Sequence, residues 1–204
     1  MPHDSEAPTE ERCHLFPQDT IAVEDFSAEG PILDIGGGGE GIIGLLKASQ
    51  VVAVDLRKSE LEEAPDGPLK VIADARDLPF LDSAFGTATA FYSLMYLKTI
   101  DDLDAVLSEV HRALRPGGRF FIWDVAVDRP AEATKPIYVV PLRVRVAGRE
   151  IETGYGQPWP DPPRGTALYR SRAGAAGFEV VQSTEDGMHF ALELRKPSME
   201  RGNG

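Results

Sequence analysis

Between residues 31 and 127, short apolar runs alternate with segments of helical period, and this alternation constrains the fold more than any other feature of the chain. PILDI (31–35), QVVAVDL (50–56), LKVIADA (69–75), GTATAFYS (86–93) and GRFFIWDVAV (118–127) predict strands. GIIGLLKA (41–48), SELEEA (59–64) and the segment 101–114 predict the helices between them. In the last, Leu103, Val106, Leu107, Val110 and Leu114 form one apolar stripe. Strands separated by helices are joined by crossovers, so they lie parallel in a doubly wound α/β sheet. Such sheets bind ligands beyond the carboxyl ends of their strands, near the point where strand order reverses.

The stretch ILDIGGGGEG (32–41) falls at one of those ends, between the first strand and the first helix. Glycine there removes Cβ atoms, so a ligand can approach the backbone, and it permits the positive φ angles of a sharp turn. Gly36, Gly38 and Gly41 also satisfy G-x-G-x-x-G, and Asp55 ends the next strand, where a carboxylate can hold a ribose diol. A glycine-rich tight turn with no ligand is the bland alternative. Among ribose-bearing ligands two classes compete. A dinucleotide sets its pyrophosphate on the helix N-terminus, but Glu40 stands at that terminus and Asp34 beside the turn. Two carboxylates repel a pyrophosphate and tolerate a sulfonium and an ammonium group. No tyrosine has a lysine four residues on, so a common hydride-transfer pair is missing. An NAD(P)-dependent oxidoreductase is the competing enzyme class.

ILDIGGGGEG, VVAVDLRKSEL, ADARDLPF, AFYSLMYL and HRALRPGGRFFIWD follow one another in this order. Together they resemble the successive motifs of class I S-adenosylmethionine-dependent methyltransferases. The resemblance implies a mostly parallel seven-stranded sheet, with residues 178–196 supplying the last two strands, and S-adenosyl-L-methionine as cofactor. Asp34, Gly36 and Gly38 would border the methionine end, with Gly37 between them in the cofactor-binding turn. Asp55 would bind the ribose hydroxyls, with Leu56 under the adenine. Asp74 would accept from the adenine amino group, Ala75 would donate its backbone N–H, and Phe91 and Tyr92 would line the floor near the sulfonium. Glu40 departs from the family pattern, which has a third glycine there, and Gly41 follows one place late. The turn would shift or the first helix shorten. No Asn/Asp-Pro-Pro-Tyr stretch follows the fourth strand, so the resemblance does not extend to enzymes that methylate exocyclic amino groups or glutamine side chains.

After Val127 the alternation breaks. YVVPLRVRVAGREIETGYG (138–156) alternates apolar and polar residues about Ala147-Gly148, which predicts a β-hairpin. PWPDPPRG (158–165) is too rich in proline for either regular structure. A helix over TALYRSRAGAA follows, closed by Gly177. Two antiparallel strands about Glu185-Asp186-Gly187 complete the chain. The expected organisation is one domain over 21–196, with 128–165 inserted after the fifth strand as a hairpin and loop cap. Segments 1–20 and 197–204 are expected to be flexible. A bare hairpin is marginal in water, so 138–156 should pack on the body or on a second copy of the chain, as a homodimer. Its Arg143, Arg145 and Arg149 would pair with Glu150 and Glu152 or meet an acidic acceptor.

Methyl transfer asks for alignment and water exclusion, and for a base only if the acceptor must lose a proton. Tyr92, Tyr96 and His189 are candidates for that role, with Trp123 and Asp124 near the end of the fifth strand. Each aromatic also reads as a core residue, and His189 as a surface or edge histidine. His111 reads as a surface residue. A net charge of −12 sets the surface against phosphate backbones, which speaks against direct nucleic-acid binding. No apolar run reaches the length of a membrane span, and the acidic N-terminus is unlike a signal peptide. The one cysteine, Cys13, supports neither an internal disulfide nor a zinc site, so no metal is expected and the setting is cytoplasmic. The expected function is S-adenosylmethionine-dependent methyl transfer to a small-molecule acceptor. Outside enzymes, the alternative is a cofactor-binding or regulatory protein on the same scaffold.

Overall fold

The computed structural model describes residues 12–198. Its strands are β1 (Cys13–Leu15), β2 (Asp19–Val23), β3 (Ile32–Ile35), β4 (Val51–Asp55), β5 (Leu69–Ile72), β6 (Phe85–Phe91), β7 (Leu114–Val125), β8 (Ile137–Val146), β9 (Arg149–Pro158), β10 (Glu179–Asp186) and β11 (His189–Arg195). Its helices are α1 (Ile42–Lys47), α2 (Lys58–Glu63), α3 (Ile100–Ala113) and α4 (Thr166–Ala175). The chain divides into two compact units. Asp25–Ala126 and the residues from Gly165 onward make the larger, and the described residues up to Glu24 with Val127–Arg164 make the smaller.

The larger unit is a seven-stranded sheet in the order β10-β11-β7-β6-β3-β4-β5. From β3 to β7 all neighbours are parallel, and β11 runs antiparallel to both β7 and β10. The chain starts at β3, steps outward through β4 and β5, then returns to the other side of β3 as β6. Strand order therefore reverses between β3 and β6. Leu33, Ile35, Ala88, Ala90, Phe120, Ile122, Phe190, Leu192 and Leu194 alternate onto one face. There they pack with Leu103, Val106, Leu107 and Val110 of α3 and with Tyr169 and Ala173 of α4. Thr99 caps α3 by accepting from Asp102 N–H at 3.0 Å, while the Asp102 carboxylate accepts the Thr99 N–H at 3.1 Å.

Three local expectations shift. α1 is only six residues long, in line with the displaced third glycine, and Gly41 at its N-cap has φ 54°. β5 ends at Ile72, because residues 74–78 are held by side chains: Arg76 bonds Asp74 and Asp102, and Glu109 accepts the Leu78 N–H at 2.8 Å. His111 is half-buried edge-on against Phe178, with ring centroids 5.0 Å apart, and is not a surface residue; burial lowers its pKa.

The smaller unit corrects one expectation. Within the segment expected to be flexible, residues 13–15 and 19–20 are not loose: β1 and β2 both pair in parallel with β8. These strands also give the hairpin the packing partner it was expected to need. β9 pairs along the whole of β8, so β1 and β2 share the opposite edge end to end. Pro141, which has no N–H to offer a ladder, falls between the stretches that pair with β1 and with β2. Ala147 and Gly148 at the tip have φ 49° and 72°, as a type I′ turn requires. Tyr138, Val140, Leu142, Val144 and Val146 alternate onto a buried face. On the hairpin, Arg143 pairs with Glu150 at 3.2 Å and Glu152 at 2.6 Å, and Arg145 with Glu150 at 3.1 Å. The expected flexible segments over 1–11 and 199–204 lie outside the described residues.

Candidate active site

The glycine turn sits at the reversal of strand order, where β3 ends. The N–H groups of Gly36 and Gly37 both donate to Val54 O, at 2.8 and 3.1 Å, which ties the turn to β4. Gly36 has φ 71°, and a Cβ there would run into Ser93. That serine, which the sequence reading passed over, clamps the turn by donating to Ile35 O at 2.6 Å. Gly38 corrects the close-approach expectation. Its φ is ordinary, and an added Cβ would lie 2.5 Å from Glu60 Cβ and 2.9 Å from Asp55 Oδ2. Packing against α2 by itself already demands glycine at this position.

The expected cofactor residues divide by depth. Asp34 is 2% exposed, and its carboxylate accepts from the Thr89 hydroxyl at 2.7 Å across the β3–β6 register. Desolvation pushes its pKa up to about 7; the Thr89 bond opposes this and the Asp55 charge adds to it. Burial thus favours the neutral form of one of the two carboxylates set against a pyrophosphate, which weakens that exclusion. Asp55 ends β4 half-buried, with Oδ1 accepting the Arg57 N–H at 2.8 Å. Leu56, just beyond, is 65% exposed and offers an apolar surface. Asp74 is gripped by Arg76, whose Nε and Nη2 reach its oxygens at 3.0 and 2.6 Å; these bonds hold its pKa below the usual carboxylate range. Ala75 follows it, half-buried.

The catalytic candidates lie at the ends of β6, β7 and β11. Tyr96 is 42% exposed on a short 3-10 turn. Trp123 is half-buried in an aromatic row on one sheet face: Phe26 to Phe121 at 4.8 Å, Phe121 to Trp123 at 6.0 Å, Trp123 to Phe91 at 6.2 Å and Phe91 to Tyr92 at 4.8 Å. Asp124 points to the other face, fully buried, and accepts the N–H groups of Met95 and Val125 at 3.0 and 2.8 Å. It is a structural anchor. His189 is buried, which corrects the surface reading, and its Nδ1 lies 2.7 Å from the Tyr92 hydroxyl. Thr89 and Ser93 were missed because their partners follow from strand order and register; Arg76 was missed although its main partner, Asp74, lies two residues away.

The doubly wound sheet, with a glycine turn between β3 and α1 and an acid ending β4, has the build of a ribose-cofactor-binding α/β domain. Residues 33–122 match the family described as a methyltransferase domain. The match supports a class I S-adenosylmethionine-dependent methyltransferase family for this segment. Over 96 residues it is 36% identical to a sterol 4-C-methyltransferase of Caenorhabditis elegans, a match that covers 47% of this chain and 28% of that protein. Over 118 residues it is 36% identical to the ubiquinone/menaquinone biosynthesis C-methyltransferase UbiE of Desulfotalea psychrophila, covering 53% and 45%. The chain thus spans less than half the length of these curated relatives. A crystal structure described as a SAM-dependent methyltransferase from Methanosarcina mazei superposes with TM-score 0.60 at 18% identity, over 85% of this chain and 95% of that one, which shows the shared fold. Among the described residues, no helix is long and apolar enough to cross a membrane.

Proposed function

We propose that this chain transfers a methyl group from S-adenosyl-L-methionine to a small-molecule acceptor. The observation that carries the reading is the pairing of Asp34 and Asp55 on one face of adjacent parallel strands, flanking the turn where strand order reverses. That donor set fits a ligand with a cationic end and a ribose diol. Asp55 keeps lone pairs beyond the one given to Arg57, enough for two hydroxyls. Leu56 takes the adenine face, Asp74 and Ala75 its edge, and Phe91 and Tyr92 the floor, while Gly36 and Gly37 hold the turn. The bound cofactor supplies an electrophilic methyl on a sulfonium. The chain's own part is to orient that group and exclude water. The acceptor is a small molecule, not nucleic acid, in keeping with the net charge of −12, and the setting is the cytoplasm. For a homodimer through 138–156, the pairing of β8 with β1 and β2 removes the physical reason; light scattering is the check.

Calorimetry tests the cofactor: S-adenosylmethionine should bind and NAD should not. Release of S-adenosylhomocysteine against an acceptor panel tests the reaction. Binding without turnover on any acceptor would favour a regulatory protein on this scaffold.

A further inference from the structure

Tyr92 and His189 form a buried pair whose hydrogen bond the cofactor site leaves unused. The phenol oxygen lies 2.7 Å from His189 Nδ1, with Tyr92 2% and His189 6% exposed. Tyr92 follows β6, His189 opens β11, and β7 runs between them, so the bond reaches across the carboxyl ends of β6 and β7 to the amino end of the antiparallel β11. Tyr92 has φ 47°, a left-handed conformation that a bulky residue adopts only when its surroundings force it. Two contacts do so. Its N–H donates to Trp123 O at 2.8 Å, and the next residue, Ser93, is pinned to Ile35 O under Gly36. Tyr92 thus stands one residue from the contact that shapes the proposed cofactor turn, at the end of the aromatic row from Phe26.

We propose that Tyr92 and His189 together accept the proton of a weakly acidic hydroxyl, a phenol or enol, presented as the methyl acceptor. The proposal rests on the methyltransferase reading. The acceptor's O–H bond breaks as its proton passes to the Tyr92 oxygen, while the Tyr92 proton passes to His189 Nδ1. The products are an acceptor oxyanion, a neutral tyrosine and an imidazolium, which later returns its proton to solvent. Tyr92 touches the acceptor and His189 acts through it. An imidazole can share a proton with a phenol but is far too weak a base for an aliphatic alcohol. A neutral amine is already nucleophilic and has no use for the pair. The row Phe121, Trp123 and Phe91 on the same face suits a flat, apolar acceptor. The ionisable groups nearest His189 in register on its flanking strands are Asp186, its exposed partner in β10, exposed Glu185 beside it, and Asp124 of β7, whose carboxylate accepts two N–H groups.

The test uses the full chain saturated with S-adenosylhomocysteine and 4-nitrophenol as probe, reading the absorbance of the nitrophenolate. Bound 4-nitrophenol should ionise at least tenfold more readily than in solution. His189→Gln should lose that gain while keeping its affinity for S-adenosylhomocysteine, and Tyr92→Phe should lose it as well. Should a variant misfold, nitrogen NMR of the wild-type imidazoles reads the tautomer: an unprotonated Nδ1 on neutral His189 supports the relay, and an Nδ1–H overturns it. Nitrophenol that does not bind, that binds un-ionised, or that ionises equally in His189→Gln also overturns it. Failure of S-adenosylhomocysteine itself to bind, seen first by calorimetry, would instead bring down the methyltransferase reading and this proposal with it.

Discussion

The two compact units reach a paired sheet by different routes. In the larger, three of the four parallel pairs are one crossover apart along the chain, β3 with β4, β4 with β5 and β6 with β7; only β3 and β6 meet across the reversal. In the smaller, β1 and β2 reach β8 from the opposite end of the sequence, Cys13 beside Ile137 and Asp19 beside Leu142. The first route leaves the carboxyl ends of its strands open at a reversal of strand order, which is where a ligand can be held. The second covers the free edge of a hairpin, on which Arg143 and Arg145 form ion pairs with Glu150 and Glu152 of the facing strand. The difference teaches that cofactor chemistry should reside in the larger unit alone, while the smaller depends on a long-range closure that the chain must make before it is rewarded.

The sharpest way to break that comparison is Gly36→Val. The left-handed φ and the collision with Ser93 both oppose it, so we expect a loss on the order of 4 kcal/mol or more in stability and no detectable S-adenosylmethionine binding. Urea unfolding and calorimetry measure the two; a variant with normal stability would sink the packing account of the turn. Next comes Asp34→Asn. The folded protein holds the Asp34 proton until about pH 7, whereas the unfolded chain releases it near 3.8. Between these values the native state binds more protons, so stability falls as pH rises and levels off above about 7. Asparagine can keep the Thr89 bond without ionising. At about pH 8 the variant should exceed the parent by up to ~4 kcal/mol, and the gain should shrink toward about pH 4. Melting curves that show no pH-dependent difference would refute the buried neutral carboxyl.

Asp55→Ala should weaken S-adenosylmethionine binding by roughly 1.5–3 kcal/mol with the fold intact, the scale of hydrogen bonds to a charged group. Unchanged affinity in calorimetry would remove the ribose assignment. The smallest expected effect lies in the other unit. Replacing residues 138–156 with a short Gly/Ser linker should leave cofactor affinity within about tenfold, or ~1.4 kcal/mol. A variant that stays folded and loses all affinity would erase the division of labour between the units.

Much of the larger unit could be read from the chain. The periods of 31–127, the stripe on α3 and the Ala147-Gly148 turn are local patterns, and each element formed where its pattern lies. Ends were less legible. β6 stops at Phe91 because Tyr92 is turned by Trp123 and Ser93, and β5 stops at Ile72 because Arg76 and Glu109 hold residues 74–78. The candidate site was legible as a set of residues, Asp34 through Tyr92, but not as a set of reasons. Gly38 was expected to make room for a ligand, and its neighbours Glu60 and Asp55 already require the missing Cβ.

The sequence by itself determined the parallel sheet, the glycine turn at its reversal and the acid at the end of β4, because periodicity and turn chemistry act over a few residues. Only the tertiary structure decided that β1 and β2 close the hairpin's edge, that Asp34 holds its proton to about pH 7, and that Tyr92 meets His189 at 2.7 Å. Each of these depends on which strands become neighbours and in what register, and on how far water is excluded between them. Those are properties of residues distant in the chain and adjacent in space, and no local pattern encodes them.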